Sequence, residues 1–179
     1  FLINNKIYAE DEILMLTFSR FTRDDFILKI DSYGAQHIQQ SSIKTIDSYA
    51  KSLIDNDNLI DVSLLSYKFM RYLENTSIEE LNKNKLLTKI KCIFIDEAQD
   101  LNQTQYNICM YLKNKLNIYI NLIGDPNQNI YQFRNSSDKY LMNFEAETFY
   151  LTKNFRSHNA IIEFSKYLRP INNIEITQS

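Results

Sequence analysis

Short apolar runs alternate with longer amphipathic stretches along this chain. The runs occupy residues 12–18, 43–46, 91–95, 117–123 and 147–151 and are rich in branched and aromatic side chains. Runs of this length and composition favour strands, and a continuous run such as 91–95 is typical of a strand buried on both faces. The stretches between them have helical character. Strands that alternate with helices predict a parallel, doubly wound α/β sheet.

Capping signals place the predicted helix starts. Thr22 with Asp25 and Ser77 with Glu80 both have capping-box spacing, and Ser157 is a further candidate cap. Gly34 suits the stop of the helix that Thr22 would begin. The other helices are predicted at residues 47–53, 61–75, 104–115 and 137–144, and those that Ser77 and Ser157 begin should reach residues 87 and 168. The helices between the second and third strands predict a short helical insertion at about residues 55–90.

Two carboxylates, Asp96 and Glu97, follow the most apolar strand directly. In parallel sheets, ligands bind beyond the carboxyl ends of the strands, so both side chains should lie at a cleft. An aspartate there can hold Mg²⁺, and a neighbouring glutamate can orient or deprotonate a water molecule. The alternative is a strand that ends in a charged turn. The following AQD at residues 98–100 and a second motif downstream favour the chemical interpretation.

Composition narrows the class of protein. Of 179 residues, 44% are hydrophobic and 13% aromatic, which fits a folded domain, and no apolar run approaches the ~20 residues that span a membrane. Cys92 and Cys109 form no C-x-x-C pair, which suits core positions in an intracellular, reducing compartment such as cytoplasm, nucleoid or nucleus. The net charge of −2 argues against a wholly basic nucleic-acid binder but leaves room for a local basic groove.

Glycine is scarce, and this bears on nucleotide binding. The chain has 2 glycines, Gly34 and Gly124, which are too far apart for a G-x-x-x-x-G-K-[ST] phosphate loop. The first residue is Phe1 rather than methionine. We therefore expect a piece of a longer protein or a processed product, with the phosphate loop missing from it.

Five motifs in order carry a family resemblance. They read ILMLTFS at 13–19, TIDSY at 45–49, IDEAQD at 95–100, LIGDPNQNIYQFR at 122–134 and LTKNFRS at 151–157. Together they resemble the UvrD/Rep family of superfamily-one DNA helicases, with the third and fourth motifs the most specific. The resemblance implies a partial RecA-like fold of the P-loop NTPase type, with ATP and Mg²⁺ as cofactors.

The resemblance also implies roles at the nucleotide. Asp96 corresponds to the Mg²⁺ ligand and Glu97 to the base that activates the attacking water. Gln128 corresponds to the glutamine that senses the γ-phosphate, with Asp125 and Arg134 in support. Arg156 corresponds to the arginine that reaches the same phosphate from the second motor domain, and such an arginine is worth about 10³–10⁵ in rate. Taken alone, Arg134 and Arg156 would be surface charges.

A further set of residues is implied to bind single-stranded DNA. Phe18, Tyr131 and Phe133 correspond to aromatic residues that face the bases, and Thr45 and Ser48 lie near positions that contact the backbone. Core packing is the alternative for all three aromatics. The chain departs from the family pattern at Arg20, where asparagine is usual, at Asp47, where histidine is common, and at Phe133, which replaces tryptophan.

The resemblance implies a domain division and an activity. Residues 1–146 would form the first RecA-like motor domain without its phosphate loop, and 147–179 would begin the second. The parent protein would couple ATP hydrolysis to movement on single-stranded DNA and to duplex unwinding in repair or replication. This chain alone, lacking the remainder of the helicase core, should be inactive. The alternatives are a non-hydrolysing nucleic-acid-binding relic of a helicase and an interaction domain without nucleotide. We expect no membrane partner.

Overall fold

A single parallel sheet organises the molecule. The computed structural model describes residues 2–3, 5–33, 39–54, 64–129, 136–168 and 177–178. Within them a four-stranded sheet has the strand order β2-β1-β3-β4, and every neighbouring pair is parallel. The strands are β1 (Ile13–Thr17), β2 (Ile43–Thr45), β3 (Cys92–Ile95) and β4 (Tyr119–Leu122). The predicted parallel α/β sheet and its first four strands are therefore confirmed.

The register brings the ends of three strands to one level. Leu16 of β1 lies opposite Ile95 of β3, which in turn lies opposite Leu122 of β4. Because β2 and β3 lie on opposite sides of β1, the order of the strands reverses between β1 and β3. Such a reversal opens a crevice beyond the carboxyl ends of the two strands, where ligands bind in this class of fold. The residues that follow β1, β3 and β4 therefore meet at one edge.

The described residues contain eight α-helices. Their bounds are α1 (Arg20–Ser32), α2 (Ile46–Ile54), α3 (Leu65–Asn75), α4 (Ile78–Leu81), α5 (Lys85–Thr88), α6 (Gln103–Leu116), α7 (Lys139–Met142) and α8 (Asn159–Lys166). Within the described residues, no helix is both long and apolar enough to cross a membrane. Gly34, the predicted stop of the first helix, lies outside the described residues.

The hydrophobic core includes the helices of the predicted insertion. Leu73 of α3 and Leu81 of α4 are 0% exposed, and they belong to the same cluster as Ile93 of β3 and Leu112 of α6. These helices therefore pack as part of the main core. The proposed division of the chain near residue 147 stays a prediction.

Two predicted helix starts are wrong. The first helix begins at Arg20, and Ser19 rather than Thr22 provides the cap: its Oγ accepts the Thr22 N–H at 3.0 Å. Ser19 lies in the bend between β1 and α1 and directly precedes the helix, so its side chain can reach an N–H group of the first turn. At α8 the cap is His158, whose Nδ1 accepts the Ala160 N–H at 3.3 Å, whereas the Ser157 N–H itself is bound by Asn154.

The helix predicted from Ser77 is shorter than expected. Ser77 does cap it, because its Oγ accepts the Glu80 N–H at 3.2 Å. The helix ends at Leu81, however, and a second one begins after Asn84, whose Oδ1 accepts the Leu86 N–H at 3.1 Å. An asparagine that can cap a new helix competes with continuation of the old one.

The strand predicted at residues 147–151 is also wrong. Those residues are exposed and irregular, so their apolar side chains are not buried in a sheet. A short strand, β5 (Lys153–Asn154), follows instead and pairs in parallel with β6 (Thr177–Gln178). This two-stranded sheet is separate from the four-stranded one.

Candidate active site at the carboxyl edge of the sheet

Asp96 continues the ladder one residue beyond β3. Its N–H donates to the Leu16 carbonyl at 2.9 Å, which fixes the backbone beside β1. The side chain is half-buried. This burial raises the pKa of Asp96 and the charge of Glu97 raises it further, whereas a backbone hydrogen bond from Glu97 and the charge of Lys29 lower it. A cation bound at this carboxylate would favour its charged form.

Glu97 turns the chain sharply away from the strand. Its φ of 53° and ψ of 42° are left-handed, which is uncommon for a residue with a side chain. A 3₁₀ turn, Ala98–Asp100, follows, and the Asp100 N–H donates to the Glu97 carbonyl at 2.9 Å. The Glu97 Oε2 accepts a hydrogen bond of 2.7 Å from Gln99 Nε2. Backbone and side chain thus both restrict where the carboxylate points.

The loop after β4 approaches this turn closely. The Ala98 N–H donates to the Ile123 carbonyl at 2.9 Å, and the Asp125 N–H donates to Gln99 Oε1 at 3.1 Å. A Cβ on Gly124 would clash with Gln99 Oε1 and would also crowd the backbone nitrogens of Ala98 and Gln99. Glycine is therefore the residue that allows the loop to reach Gln99.

Asp125 organises the residues that follow. Its Oδ1 accepts the Asn127 N–H at 3.0 Å and caps a 3₁₀ turn, Pro126–Gln128. Its Oδ2 accepts a hydrogen bond of 3.0 Å from Gln128 Nε2. Glu97 and Gln128, which were singled out from separate motifs, are therefore connected through Gln99 and Asp125.

The donor set fits a magnesium ion that arrives with a nucleotide. Mg²⁺ usually takes one or two protein carboxylates and completes its shell with water and phosphate oxygens. Within the described ranges, no cluster of three or more histidine, cysteine, aspartate or glutamate side chains forms a dedicated metal cage. A half-buried Asp96 at a strand end suits a Mg²⁺ ion that takes one protein carboxylate and completes its shell with water and phosphate oxygens.

Two buried polar residues of the site were not among the site residues predicted from the sequence. Gln99 is 2% exposed, and Asp100 is 6% exposed with an Oδ1 that has no hydrogen-bond partner among the described residues. Burial and the charge of Glu97 both raise the pKa of Asp100. Their position directly after a buried strand could have identified them, because polar side chains that are buried there need hydrogen-bond partners. Which partner Gln99 takes depends on β4, 20 or more residues away.

The predicted DNA-binding residues have mixed outcomes. Phe18 is half-buried just past β1, which decides neither for core packing nor for base stacking. Thr45 Oγ1 accepts the Ser48 N–H at 3.1 Å, and Ser48 Oγ accepts the Thr45 N–H at 3.0 Å, so both hydroxyls help to cap α2. Their contact with DNA stays a prediction. Tyr131, Phe133 and Arg134 lie outside the described residues.

Arg156 is exposed in the turn after β5. Its backbone N–H donates to Asn154 Oδ1 at 2.9 Å. In the described part of the chain, no hydrogen bond or ion pair joins Arg156 to Glu97 or Gln128. Its proposed place beside the other catalytic residues stays a prediction.

Comparison with known proteins gives consistent matches. The family model of the UvrD/REP helicase N-terminal domain matches residues 28–148. A putative ATP-dependent DNA helicase, R568, of Acanthamoeba polyphaga mimivirus is 41% identical over 177 residues, covering 96% of this chain and 26% of the relative. The RecBCD enzyme subunit RecB of Buchnera aphidicola is 33% identical over 141 residues, covering 76% of this chain and 11% of the relative.

A third relative has a similar name and a similar extent. A probable DNA helicase II homolog of Mycoplasma capricolum is 28% identical over 122 residues, covering 65% of this chain and 16% of the relative. The chain thus spans about a quarter of the mimivirus relative and less of the two bacterial ones.

Proposed function

This chain belongs to the UvrD/REP helicase family, and on that basis we propose that its protein couples ATP hydrolysis to movement along single-stranded DNA and to duplex unwinding. One observation carries the proposal. The carboxylate of Glu97 and the amide of Gln128 belong to one hydrogen-bonded network at the ends of β3 and β4. Phosphoryl transfer depends mostly on positioning and charge stabilisation, which such a network supports.

Each polar residue takes a distinct role in this proposal. Asp96 would hold Mg²⁺, which supplies positive charge at the β- and γ-phosphates when nucleotide is bound. Glu97 accepts a proton from the attacking water. Gln128 contacts the γ-phosphate, and Asp125 holds Gln128 in place.

Two arginines complete the proposed nucleotide site. Arg134 follows Gln128 by six residues in the sequence and, in this proposal, supports the sensing of the nucleotide. Arg156 reaches the γ-phosphate from the second motor domain when the two domains close. That domain would begin near residue 147, and residues 1–146 would belong to the first.

The DNA surface of the proposal rests on aromatic residues near the same loop. Tyr131 and Phe133 follow Gln128 within five residues, so a shift of Gln128 towards phosphate would be transmitted over a short segment. Their rings would stack on bases with little dependence on sequence. Phe18, Thr45 and Ser48 would extend the contact along β1 and α2.

Glu97→Gln in the complete gene product tests the catalytic proposal. The amide keeps the shape of the side chain but accepts no proton, so DNA-stimulated turnover should fall by about 10²–10⁴-fold while ATP binding is retained. Glu80→Gln, an exposed glutamate on α4, is the matched control and should leave turnover unchanged. A wild-type protein that binds DNA but hydrolyses no ATP would instead be the relic.

Phe133→Ala tests the DNA proposal. Loss of a stacking ring should weaken single-stranded DNA binding by about 1–3 kcal/mol. The slope of log affinity against log salt should barely change, because no phosphate contact is lost. Unchanged affinity with a loss of about 3–5 kcal/mol in unfolding free energy would make Phe133 a core residue instead. Tyr33→Ala, at an exposed aromatic position, controls for non-specific effects.

A further inference from the structure

We propose that Gln99 is a positioning residue that holds Glu97 and the loop at 124–129 as a single unit. This inference rests on the proposed function, because it assigns Gln99 a part in the hydrolysis that Glu97 and Gln128 perform. Gln99 touches neither phosphate nor metal in this role. It acts by keeping the side chain that activates water in register with the loop that contacts the γ-phosphate.

The side-chain amide of Gln99 is used at both ends. Nε2 donates to Glu97 Oε2 at 2.7 Å, and Oε1 accepts the Asp125 N–H at 3.1 Å. A carboxylate oxygen needs a donor and a backbone N–H needs an acceptor, so only one orientation of the amide satisfies both. The side chain is 2% exposed, and buried polar groups are costly to leave without partners. The amide therefore links the two segments in a defined geometry.

The main chain of Gln99 adds a second link to the same loop. Its carbonyl accepts a hydrogen bond of 2.9 Å from Asn129 Nδ2, and Asn129 Oδ1 accepts one of 3.2 Å from Ser136 Oγ. Ser136 forms an isolated bridge with Asn102, and the Ser137 N–H donates to the Leu101 carbonyl at 3.2 Å. The loop at 124–129 is thus bound at Asp125 and at Asn129 by Gln99 of the turn at 97–102.

This arrangement has a mechanical consequence. The turn at 97–102 carries Glu97 and also anchors the ends of the loop in which Gln128 lies. A displacement of that loop caused by nucleotide would be transmitted to Glu97 through Gln99, and the reverse would hold equally. Gly124 is needed for the same reason, because a Cβ at that position would displace the Gln99 amide.

Gln99→Met in the complete gene product tests the role in turnover. Methionine keeps the length and volume of glutamine but forms neither hydrogen bond. We expect kcat for DNA-stimulated ATP hydrolysis to fall by about 10–100-fold, as small misplacements of catalytic groups do. KM for ATP should stay near the wild-type value, since in this role Gln99 does not contact the nucleotide.

A double-mutant cycle with Glu97→Gln identifies the residue through which Gln99 acts. Once position 97 carries no base, Gln99→Met should cost little further turnover, because there is no carboxylate left to position. If the two losses multiply instead, Gln99 acts independently of Glu97, and the proposal is wrong.

A matched control separates positioning from stability. Gln105 is also buried, at 9% exposure, but its side chain caps α6 by accepting the Asn102 N–H at 3.1 Å. Gln105→Met should lower stability and leave kcat unchanged. Hydrogen exchange gives a readout of the link itself: Gln99→Met should speed exchange of the Asp125 amide but not of the Ile123 amide, which is bound to Ile95 in the sheet.

The outcomes are distinguishable. An active wild type whose kcat is unaffected by Gln99→Met overturns the positioning role and leaves the proposed function standing. A wild type without ATP hydrolysis in the presence of DNA overturns both. A fall in kcat that Gln105→Met reproduces also overturns the positioning role, because loss of stability would then explain it.

Discussion

The side-chain amide of Gln128 donates a hydrogen bond of 3.0 Å to Asp125 Oδ2, so the predicted phosphate sensor rests against a carboxylate of its own loop. The other oxygen of Asp125 caps the short helical turn between them. Because the amide nitrogen carries two hydrogens, Nε2 can keep this bond and still donate to a γ-phosphate oxygen. Asp125 therefore sets the orientation in which Gln128 presents its second N–H.

Two substitutions at Asp125 separate its capping role from its hold on Gln128. Asp125→Ala removes the cap and should cost about 1 kcal/mol of unfolding free energy, whereas Asp125→Asn keeps an acceptor and should cost only a few tenths. Both should lower turnover, because neither side chain can both cap the turn and accept from Gln128 Nε2. Urea unfolding and steady-state ATPase assays measure the two effects. Wild-type turnover in Asp125→Asn would show that the bond to Gln128 is unimportant.

The left-handed backbone at Glu97 predicts an unusual order of stabilities. Alanine in that conformation is strained by about 1–2 kcal/mol, whereas glycine is not. Part of the difference is offset by the greater freedom of glycine in the unfolded chain. Glu97→Gly should therefore be more stable than Glu97→Ala by about 0.5–1 kcal/mol in urea unfolding, although both lose turnover.

Asn117 offers a control for this backbone effect. Its φ of 54° is also left-handed, at the end of α6, and it belongs to no part of the proposed site. Asn117→Gly should likewise be more stable than Asn117→Ala. If the alanine and glycine variants have equal unfolding free energies at position 97 but not at position 117, the backbone conformation of Glu97 is not strained.

The helices of the predicted insertion should be indispensable to the fold. Leu73 of α3 is 0% exposed, so Leu73→Ala should cost about 2–5 kcal/mol of unfolding free energy through lost burial and a cavity. Tyr67→Ala on the same helix, at a position 57% exposed, should stay within about 0.5 kcal/mol of wild type. A small loss at Leu73 would mean that these helices form a separable unit. Urea unfolding of both variants decides the matter.

Asp100 predicts a pH-dependent gain in stability. Burial and the charge of Glu97 raise its pKa above the ordinary value of 3.8, so the folded protein binds this proton more tightly than the unfolded chain. Its contribution to stability is therefore full below pH 3.8, falls as pH rises towards the raised pKa, and stays lower at neutral pH. Asp100→Asn removes the charge and should increase the unfolding free energy near pH 7. The gain should shrink as pH falls towards 3.8, and a gain independent of pH would contradict the assignment.

The sequence by itself determined most of the four-stranded sheet and the place of two carboxylates at its edge. The four strands of the main sheet and the positions of Asp96 and Glu97 follow from local signals: runs of β-branched residues, their length, and polar residues directly after them. These features depend on residues that are adjacent in the sequence, so they can be predicted from the sequence without the tertiary structure. The strand predicted at 147–151 failed because an apolar run does not show whether a sheet is there to bury it.

Only the tertiary structure decided how the site is held together. Gln99 and Asp125 are 26 residues apart, and their hydrogen bond exists because β3 and β4 pair in one particular register. Likewise, Ser19 and His158 cap their helices in place of Thr22 and Ser157. Which residue caps a helix depends on the direction of the backbone before it, and the order of polar and apolar residues does not specify that direction. Long-range register and backbone direction arise from packing of the whole core, which no single stretch of residues encodes.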